Sequence, residues 1–367
     1  MNIERITLTH VRIPLVEPFT ISNGSVREKD GIIVRVFSDG LVGVGEASPM
    51  AGSFYSEETP ESTWGCLVHR IIPMLFASKP VSLDDVNILF HKIHGDTFAK
   101  AGIETALRDI EAQKQDSPLY KLLGGKRRDV ESGLAVGIYS TVDQLVSTIE
   151  RYLPEGYKRV KIKIQPGWDA TPLRAVKKCF GNIPLMVDAN GAYSHDDLEH
   201  LCSLDEFELM MIEQPFSKDD FDAHAQLQAM MRTPICLDEG ACDCSAIEKA
   251  ASKKSCRIVN IKIQRVGGLT QAEAMHAVCA EKAIPVWAGT MPELGVGAAQ
   301  TLHLATLDNF LFPTDVESSR RWFVDDIIEP MLEVHNGVIE IPDGIGNCFQ
   351  LNERKVLQYK VREEIFQ

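Results

Sequence analysis

Five residues follow one another at an almost constant step. From Lys163 the intervals to Asp188, Glu213, Asp238 and Lys262 are 25, 25, 25 and 24 residues. Each lies at or near the end of a short apolar run, and helical patterning fills the spaces between. One strand, one helix and two turns occupy about that length, so the step predicts successive βα units and a parallel sheet. Eight such runs can be read: "GLAVGIY", "RVKIKI", "IPLMVDA", "ELMMIEQP", "TPICLDE", "RIVNIKI", "IPVWAGT" and "NFLFPTD". Eight strands fit a TIM-type barrel better than an open sheet. A doubly wound sheet would want a glycine-rich turn between an early strand and its helix. The candidate glycines, Gly43 and Gly45 in "LVGVGEAS", sit in a hairpin instead. Neither a P-loop nor a G-x-S-x-G occurs. Thr270 and Glu273 have the spacing of a capping box before "AMHAVCAEKA".

The first hundred residues have another style. "ERITLTHVRIPL" and "GIIVRVFSDGLVGVGEAS" read as strands, with a hairpin turn at Ser38-Asp39-Gly40. Helical patterns follow in "TWGCLVHRIIPMLF", "LDDVNILFHKIHG" and "AGIETALRDIEAQKQ", the last stopped by Ser117-Pro118. The expected organisation is an α+β capping domain with connecting helices over 1–125, a barrel over 126–325, and a tail over 326–367 that returns to the cap.

Charge and cysteine content narrow the function classes. A net charge of −14 argues against nucleic acid and anionic membranes as partners. No run of about 18 apolar residues predicts a membrane span, and the N-terminus reads as a strand and not as a signal peptide. The nine cysteines are odd in number and scattered, which predicts reduced thiols and a cytoplasmic location. Cys242 and Cys244 lack a matching ligand pair nearby, so zinc is not expected there.

The five spaced residues and Lys161 carry the chemistry. Barrel strand two holds Lys161 and Lys163; strands three, four and five end in Asp188, Glu213 and Asp238; strand six carries Lys262. All fall at the C-terminal mouth, where barrel enzymes keep their active sites. Alternation turns the lysines toward the barrel axis and Ile162, Ile164, Ile261 and Ile263 toward the helices. "IKIQ" therefore occurs twice, at 162–165 and 261–264, with its lysine in the same phase. No role for Gln165 or Gln264 follows from the pattern. Three converging carboxylates need a cation, and oxygen-only ligation suggests Mg²⁺, with Mn²⁺ as a substitute. A lysine titrates near about 10. Neighbouring cations and desolvation would lower that value, leaving one lysine neutral as a base. Such a site suits removal of a proton α to a carboxylate, with an enediolate stabilised by positive charge.

The motifs "KIK" (161–163), "DAN" (188–190), "EQP" (213–215), "DE" (238–239) and "NIK" (260–262) resemble those of the enolase superfamily, muconate-lactonizing-enzyme subgroup. "KIKIQPGWD", "MIEQPFSKDDFDAHAQLQ", "NIKIQRVGGLTQAEAMHAVC" and "PVWAGTMPELGVGAA" are most similar to its o-succinylbenzoate synthase / N-acylamino acid racemase family. The resemblance spans essentially the whole chain. It implies a (β/α)7β modified TIM barrel with an α+β cap built from both chain ends. It further implies that Asp188, Glu213 and Asp238 bind Mg²⁺ and that Lys163 and Lys262 are the paired acid/base lysines. Lys161 would lie beside the substrate carboxylate. Asn190, Glu239 and Arg265 would stand behind the ligands, with Arg265 tuning Lys262. "PFTISNG" (18–24) and "MAGSFYSEE" (50–58) resemble two mobile loops that close over the substrate, which makes Phe19 and Phe54 candidates for its apolar part. Expected partners are a small carboxylate substrate and further copies of the chain.

Strand seven departs from the family pattern. Gly289-Thr290-Met291-Pro292-Glu293-Leu294 stands where the family has two glycines and Met-Leu-Glu-Ser, so Thr290, Met291 and Glu293 are substrate-contact candidates and the substrate stays open. "GTM" is also similar to the cycloisomerases. Asp315 and Glu317 loosely match the Asp-x-Asp with which dipeptide epimerases grip an amine. The expected activity is o-succinylbenzoate synthesis by dehydration, N-acylamino acid racemisation, or both. Cycloisomerisation and dipeptide epimerisation are the alternatives. A non-catalytic binding protein would have lost a ligand or a lysine, and none is lost.

Overall fold

The computed structural model describes residues 1–52 and 55–367. Its first layer is a four-stranded antiparallel sheet, ordered Lys360–Phe366, Ile3–Ile21, Gly24–Ser38, Leu41–Ala47. The C-terminal strand thus joins the N-terminal sheet. Asp39 (φ 53°) and Gly40 (φ 78°) form the hairpin turn between the last two strands. Positive φ at both central residues matches the twist of the flanking strands.

Helix Thr97–Lys114 lies across this sheet. Gly43 and Gly45 are there for contact, not for phosphate. A Cβ on Gly43 would fall 2.0 Å from the Ala106 carbonyl oxygen, and one on Gly45 2.2 Å from that of Gly102. Asp109 of the same helix accepts from the backbone N–H of Val44 (3.0 Å) and of Asn347 (2.8 Å), so one buried carboxyl ties the helix to the sheet and to the C-terminal segment. Burial pushes its pKa up to about 6, against those hydrogen bonds. The folded state therefore holds this proton more tightly than the unfolded chain between about pH 4 and 6, and stability falls as pH rises through that window. The span corresponds to something on the order of 3 kcal/mol. Asp109→Asn should flatten this part of the curve, measured by urea unfolding from pH 4 to 7. A variant whose curve runs parallel to the parent's would refute the assignment.

The second layer is a curled sheet of seven parallel strands in sequential order. They are Leu134–Val136, Val160–Lys163, Leu185–Asp188, Ile212–Glu213, Ile235–Leu237, Ile258–Ile261 and Val286–Ala288. The eighth run, "NFLFPTD", does not form a full strand. It touches both sheet edges by single bridges, Phe310 to Val286 and Thr314 to Ser132. Pro313 sits between the two contacts and has no N–H for a continuous ladder. The circle is still spanned, through Leu311 N–H to Val286 (3.0 Å) and Gly133 N–H to Thr314 (2.9 Å).

The predicted side-chain phase holds. Ile162, Ile164, Ile261 and Ile263 are buried in the main core. Facing the axis instead are Met186, Met211, Cys236, Ile258 and Trp287, a separate apolar plug inside the barrel. Met186, Met211 and Cys236 each lie two residues before a site carboxylate. The plug is thus the floor on which the site is built.

The Thr270/Glu273 capping box does not form. Helix Leu269–Glu281 starts after Gly268 with no local side-chain cap. Glu104 reaches over from helix Thr97–Lys114 and accepts from the N–H groups of Leu269 (2.7 Å) and Thr270 (3.0 Å). Glu273 pairs with Arg108 instead. A distant carboxylate satisfies the free N–H groups better placed than the local one.

Candidate active site

Barrel strands two to four bring their carriers level. Lys163 is in register with Asp188, and Asp188 with Glu213. Glu213 pairs with Cys236, two residues before Asp238 on the same face. Asp188, Glu213 and Asp238 are fully buried, and Lys161, Lys163 and Lys262 nearly so.

The ammonium groups bind the carboxylates directly. Lys163 Nζ donates to Asp188 (2.5 Å) and to Asn190 Oδ1 (3.0 Å). Lys262 Nζ donates to Asp238 (2.8 Å), and Arg265 joins it on the same carboxylate at 3.2 Å. Lys161 donates to Glu213 (3.2 Å) and to Asp315. Asn260 gives its amide to the other oxygen of Glu213 (2.7 Å). Asn190 N–H also reaches Asp188 (3.0 Å) and its amide links outward to Glu239 (3.0 Å), so Asn190 and Arg265 touch the carboxylates and Glu239 touches Asn190.

The electrostatics follow from these pairs. Burial disfavours the Asp238 carboxylate, but Arg265 and Lys262 outweigh it and hold its pKa well below the usual range. Glu213 goes the other way, to about 8, through burial and the Asp188 charge. Burial also opposes the Lys262 and Lys161 ammoniums. Asp238 and Tyr55 nevertheless raise the first, and Asp315, Glu213 and Asp188 the second. For these two lysines the carboxylates at hydrogen-bonding distance outweigh burial.

Asp188, Glu213 and Asp238 fit a hard divalent ion in donor type, charge and register. As placed, their oxygens are turned to the ammonium groups, and among the described residues no three Asp, Glu, His or Cys side chains stand ready to share one ion. Binding would need these side chains to turn from the lysines toward a common point.

A narrow cavity of about 30 Å³ opens above this cluster. Its lining combines the charged side chains Lys161, Lys163, Lys262 and Asp315 with the apolar ones of Phe19, Ile21, Met50, Met291 and Trp322. Thr290 also lines it. Glu293 does not: it lines an adjoining cavity, and its carboxylate accepts from Met291 N–H (3.2 Å). Phe54 lies outside the described residues. The 18–24 segment is not an irregular loop but the tip of the first hairpin, with Phe19 paired to Val26 and Ile21 to Gly24. It rests on the barrel through Ile138 N–H to Thr20 (2.8 Å) and Ser22 Oγ to Ala189 (3.3 Å). Phe19 meets Trp322 edge to face, with ring centroids 4.7 Å apart.

Three participants escape the sequence reading. Tyr55 places its hydroxyl 2.7 Å from Lys262 Nζ and 2.9 Å from Arg265. It follows the predicted contact Phe54, so the segment was legible and the residue was not. Trp322 comes from a segment without strand or motif signal. Gln264 acquires a role: its amide donates to the Glu46 carbonyl (2.8 Å) and accepts from Ser48 N–H (3.0 Å).

Residues 3–124 match the mandelate racemase / muconate lactonizing enzyme N-terminal domain, and 144–355 the enolase C-terminal domain-like family. The chain belongs to the mandelate racemase / muconate lactonizing enzyme family. Within this family it is 43% identical to the o-succinylbenzoate synthase of Geobacillus kaustophilus, over 100% of this chain and 98% of the relative. It is 40% identical to the N-succinylamino acid racemase of Amycolatopsis sp, over 94% of each. A solved enolase superfamily member from Listeria innocua Clip11262 has a TM-score of 0.94 at 35% identity, covering 100% of this chain and 99% of the other. The family's two-part organisation accounts for the seven-stranded barrel sheet and its antiparallel cap.

Proposed function

We propose that the chain removes a proton α to the carboxylate of a small substrate, acting as an o-succinylbenzoate synthase, an N-succinylamino acid racemase, or both. The observation that carries this reading is the opening of Lys163 and Lys262, from strands four positions apart, into one cavity. Proton donors and acceptors on different walls can serve different faces of one carbon. In dehydration Lys163 moves the proton and Lys262 contributes charge; in racemisation both move protons. Asp188, Glu213 and Asp238 would hold Mg²⁺. When bound, the ion supplies positive charge beside the substrate carboxylate as the enediolate forms. Tyr55 and Arg265 orient the Lys262 ammonium, and the apolar side chains of the cavity lining take the substrate body and exclude water.

Dipeptide epimerisation receives less support. Asp315 is already engaged by Arg159 (2.6 Å) and by Lys161. Glu317 accepts from Ala135 N–H (2.9 Å) and faces Arg321 at 3.6 Å. Asp315 is therefore not left over for a substrate ammonium, and Glu317, although its Oε2 has no hydrogen-bond partner, lines the adjoining cavity. In D₂O with Mg²⁺, an N-succinyl L-amino acid should gain deuterium at Cα, seen by mass spectrometry, and chelation should stop it until Mg²⁺ or Mn²⁺ is returned. Neither exchange nor dehydration in the loaded enzyme would end the proposal. Neighbouring menaquinone genes would favour the synthase; an acyltransferase or hydrolase gene would favour the racemase.

A further inference from the structure

A second group of ionisable side chains lies outside the lysine–carboxylate site, where cap meets barrel. Lys29, Glu46 and Glu293 are all nearly or fully buried. Lys29 Nζ donates to the carbonyl oxygens of Ser48 (2.8 Å) and Pro49 (3.1 Å). Glu46 accepts from the N–H groups of Leu294 and Gly297, both at 2.8 Å, where helix Gly295–Leu304 begins. It also accepts from Ser48 Oγ (2.8 Å). Gln264, two residues after Lys262, closes the ring through Glu46 and Ser48. One oxygen of Glu293, Oε1, has no hydrogen-bond partner.

Four residues of chain, 46–49, are thus fastened at once to the cap sheet, to the helical turn Ile263–Val266 after barrel strand six and to the segment after strand seven. Each fastening leads to a cavity wall. Met50 follows Pro49 directly, Lys262 precedes Gln264, and Met291 precedes Glu293 and Leu294; all three side chains line the cavity. Burying a lysine for packing alone is unfavourable, because an apolar side chain fills the same volume without desolvating a charge. Two main-chain carbonyls at the entrance to the covering segment are what an ammonium reaches and an apolar side chain does not.

We propose that Lys29 is a positioning residue, which with Glu46 and Gln264 sets the 46–50 segment against the helical turn after strand six and so fixes the part of the cavity lining that Met50 and Met291 supply. It touches no reacting atom. This rests on the function proposed above, so its test includes a readout that does not depend on turnover. Lys29→Met should raise KM for the N-succinyl substrate about tenfold while kcat changes less than threefold. Gln264→Ala should shift KM in the same sense, and the double variant should show less than the product of the two effects, because both act through one segment. Independently, amide hydrogen exchange in 46–50 should quicken at least tenfold in Lys29→Met while strand Ile3–Ile21 stays as in the parent. If Lys29→Met fails to fold, Lys29→Gln, which keeps a neutral donor, takes its place with smaller shifts of the same sign. An unchanged KM, multiplicative effects, or exchange that quickens equally throughout the chain would each overturn the proposal. A parent enzyme without turnover would sink the proposed function alone, and the exchange experiment would still decide the role of Lys29.

Discussion

Replacing Lys262 by alanine is expected to lower α-proton exchange about 10²–10⁴-fold, the usual contribution of a positioned acid–base group, and Lys163→Ala should do the same. Both lysines open into the cavity, and each is held by a carboxylate and a neutral oxygen: Asp188 and Asn190 for Lys163, Asp238 and Tyr55 for Lys262. These contacts fix the position of each nitrogen, so truncation removes a group placed for proton transfer. The two sites differ in surroundings, and arginine exposes the difference. Arg265 already shares Asp238 with Lys262, so that side of the cavity is rich in fixed positive charge. If Lys262 acts by charge, as in dehydration, Lys262→Arg should retain far more activity than Lys262→Ala. If it moves a proton, the two variants should be equally poor. Isotope exchange measured with each enantiomer of an N-succinyl amino acid separates these cases. Full exchange in both alanine variants would remove the lysines from the mechanism.

Arg159→Met should destabilise the fold by about 3–5 kcal/mol, the range for breaking a buried ion pair from one side. Arg159 is 1% exposed and donates to Asp315 (2.6 Å) and to the Pro313 carbonyl (3.2 Å). Its guanidinium also lies 4.8 Å from the centre of the Trp287 ring. Removal leaves Asp315 dependent on Lys161 alone, and it frees the Pro313 carbonyl at the junction where the broken eighth strand meets the sheet. Urea unfolding gives the magnitude. Arg159→Met with Asp315→Asn should cost less than the two single variants summed, since the second change removes the stranded charge. A loss below about 1 kcal/mol, or strict additivity, would show that the pair is not coupled.

The features legible in the sequence were those set by period. A step of 25 residues places Asp188 beside Glu213 because one βα unit separates them, and alternation sends Lys161 and Lys163 inward because strands have period two. Residues whose role depends on a distant partner carry no such mark. Thr270 and Glu273 had the right local spacing, but Glu104, more than 160 residues earlier, took the helix N-terminus. Gln264 looked like a chance repeat of Gln165 until Ser48 and Glu46 were seen beside it. Tyr55 lies in a segment with no periodicity, where any of several side chains could have turned inward. Glu293 lies on the correct segment, but its carboxylate reaches back to Met291 N–H and away from the main cavity. Of the apolar lining, Phe19 and Met291 were legible through motif resemblance, whereas Trp322 comes from a stretch of chain that carries no such mark.

Barrel strand two sends Arg159, Lys161 and Lys163 to the same face, each meeting a carboxylate inside the barrel. This alternation makes the strand's alignment a matter of charge as well as of oiliness. A slip by one residue would turn three cations out among the aliphatic helices and bring isoleucines in against Asp188, Glu213 and Asp315. Few errors in a sheet are penalised on both faces at once. Insertions in the approach to this strand, around 154–158, should therefore be far less tolerated than insertions in the cap. Descendants of this chain can be expected to change what they bind at the rim while this one strand stays locked in place.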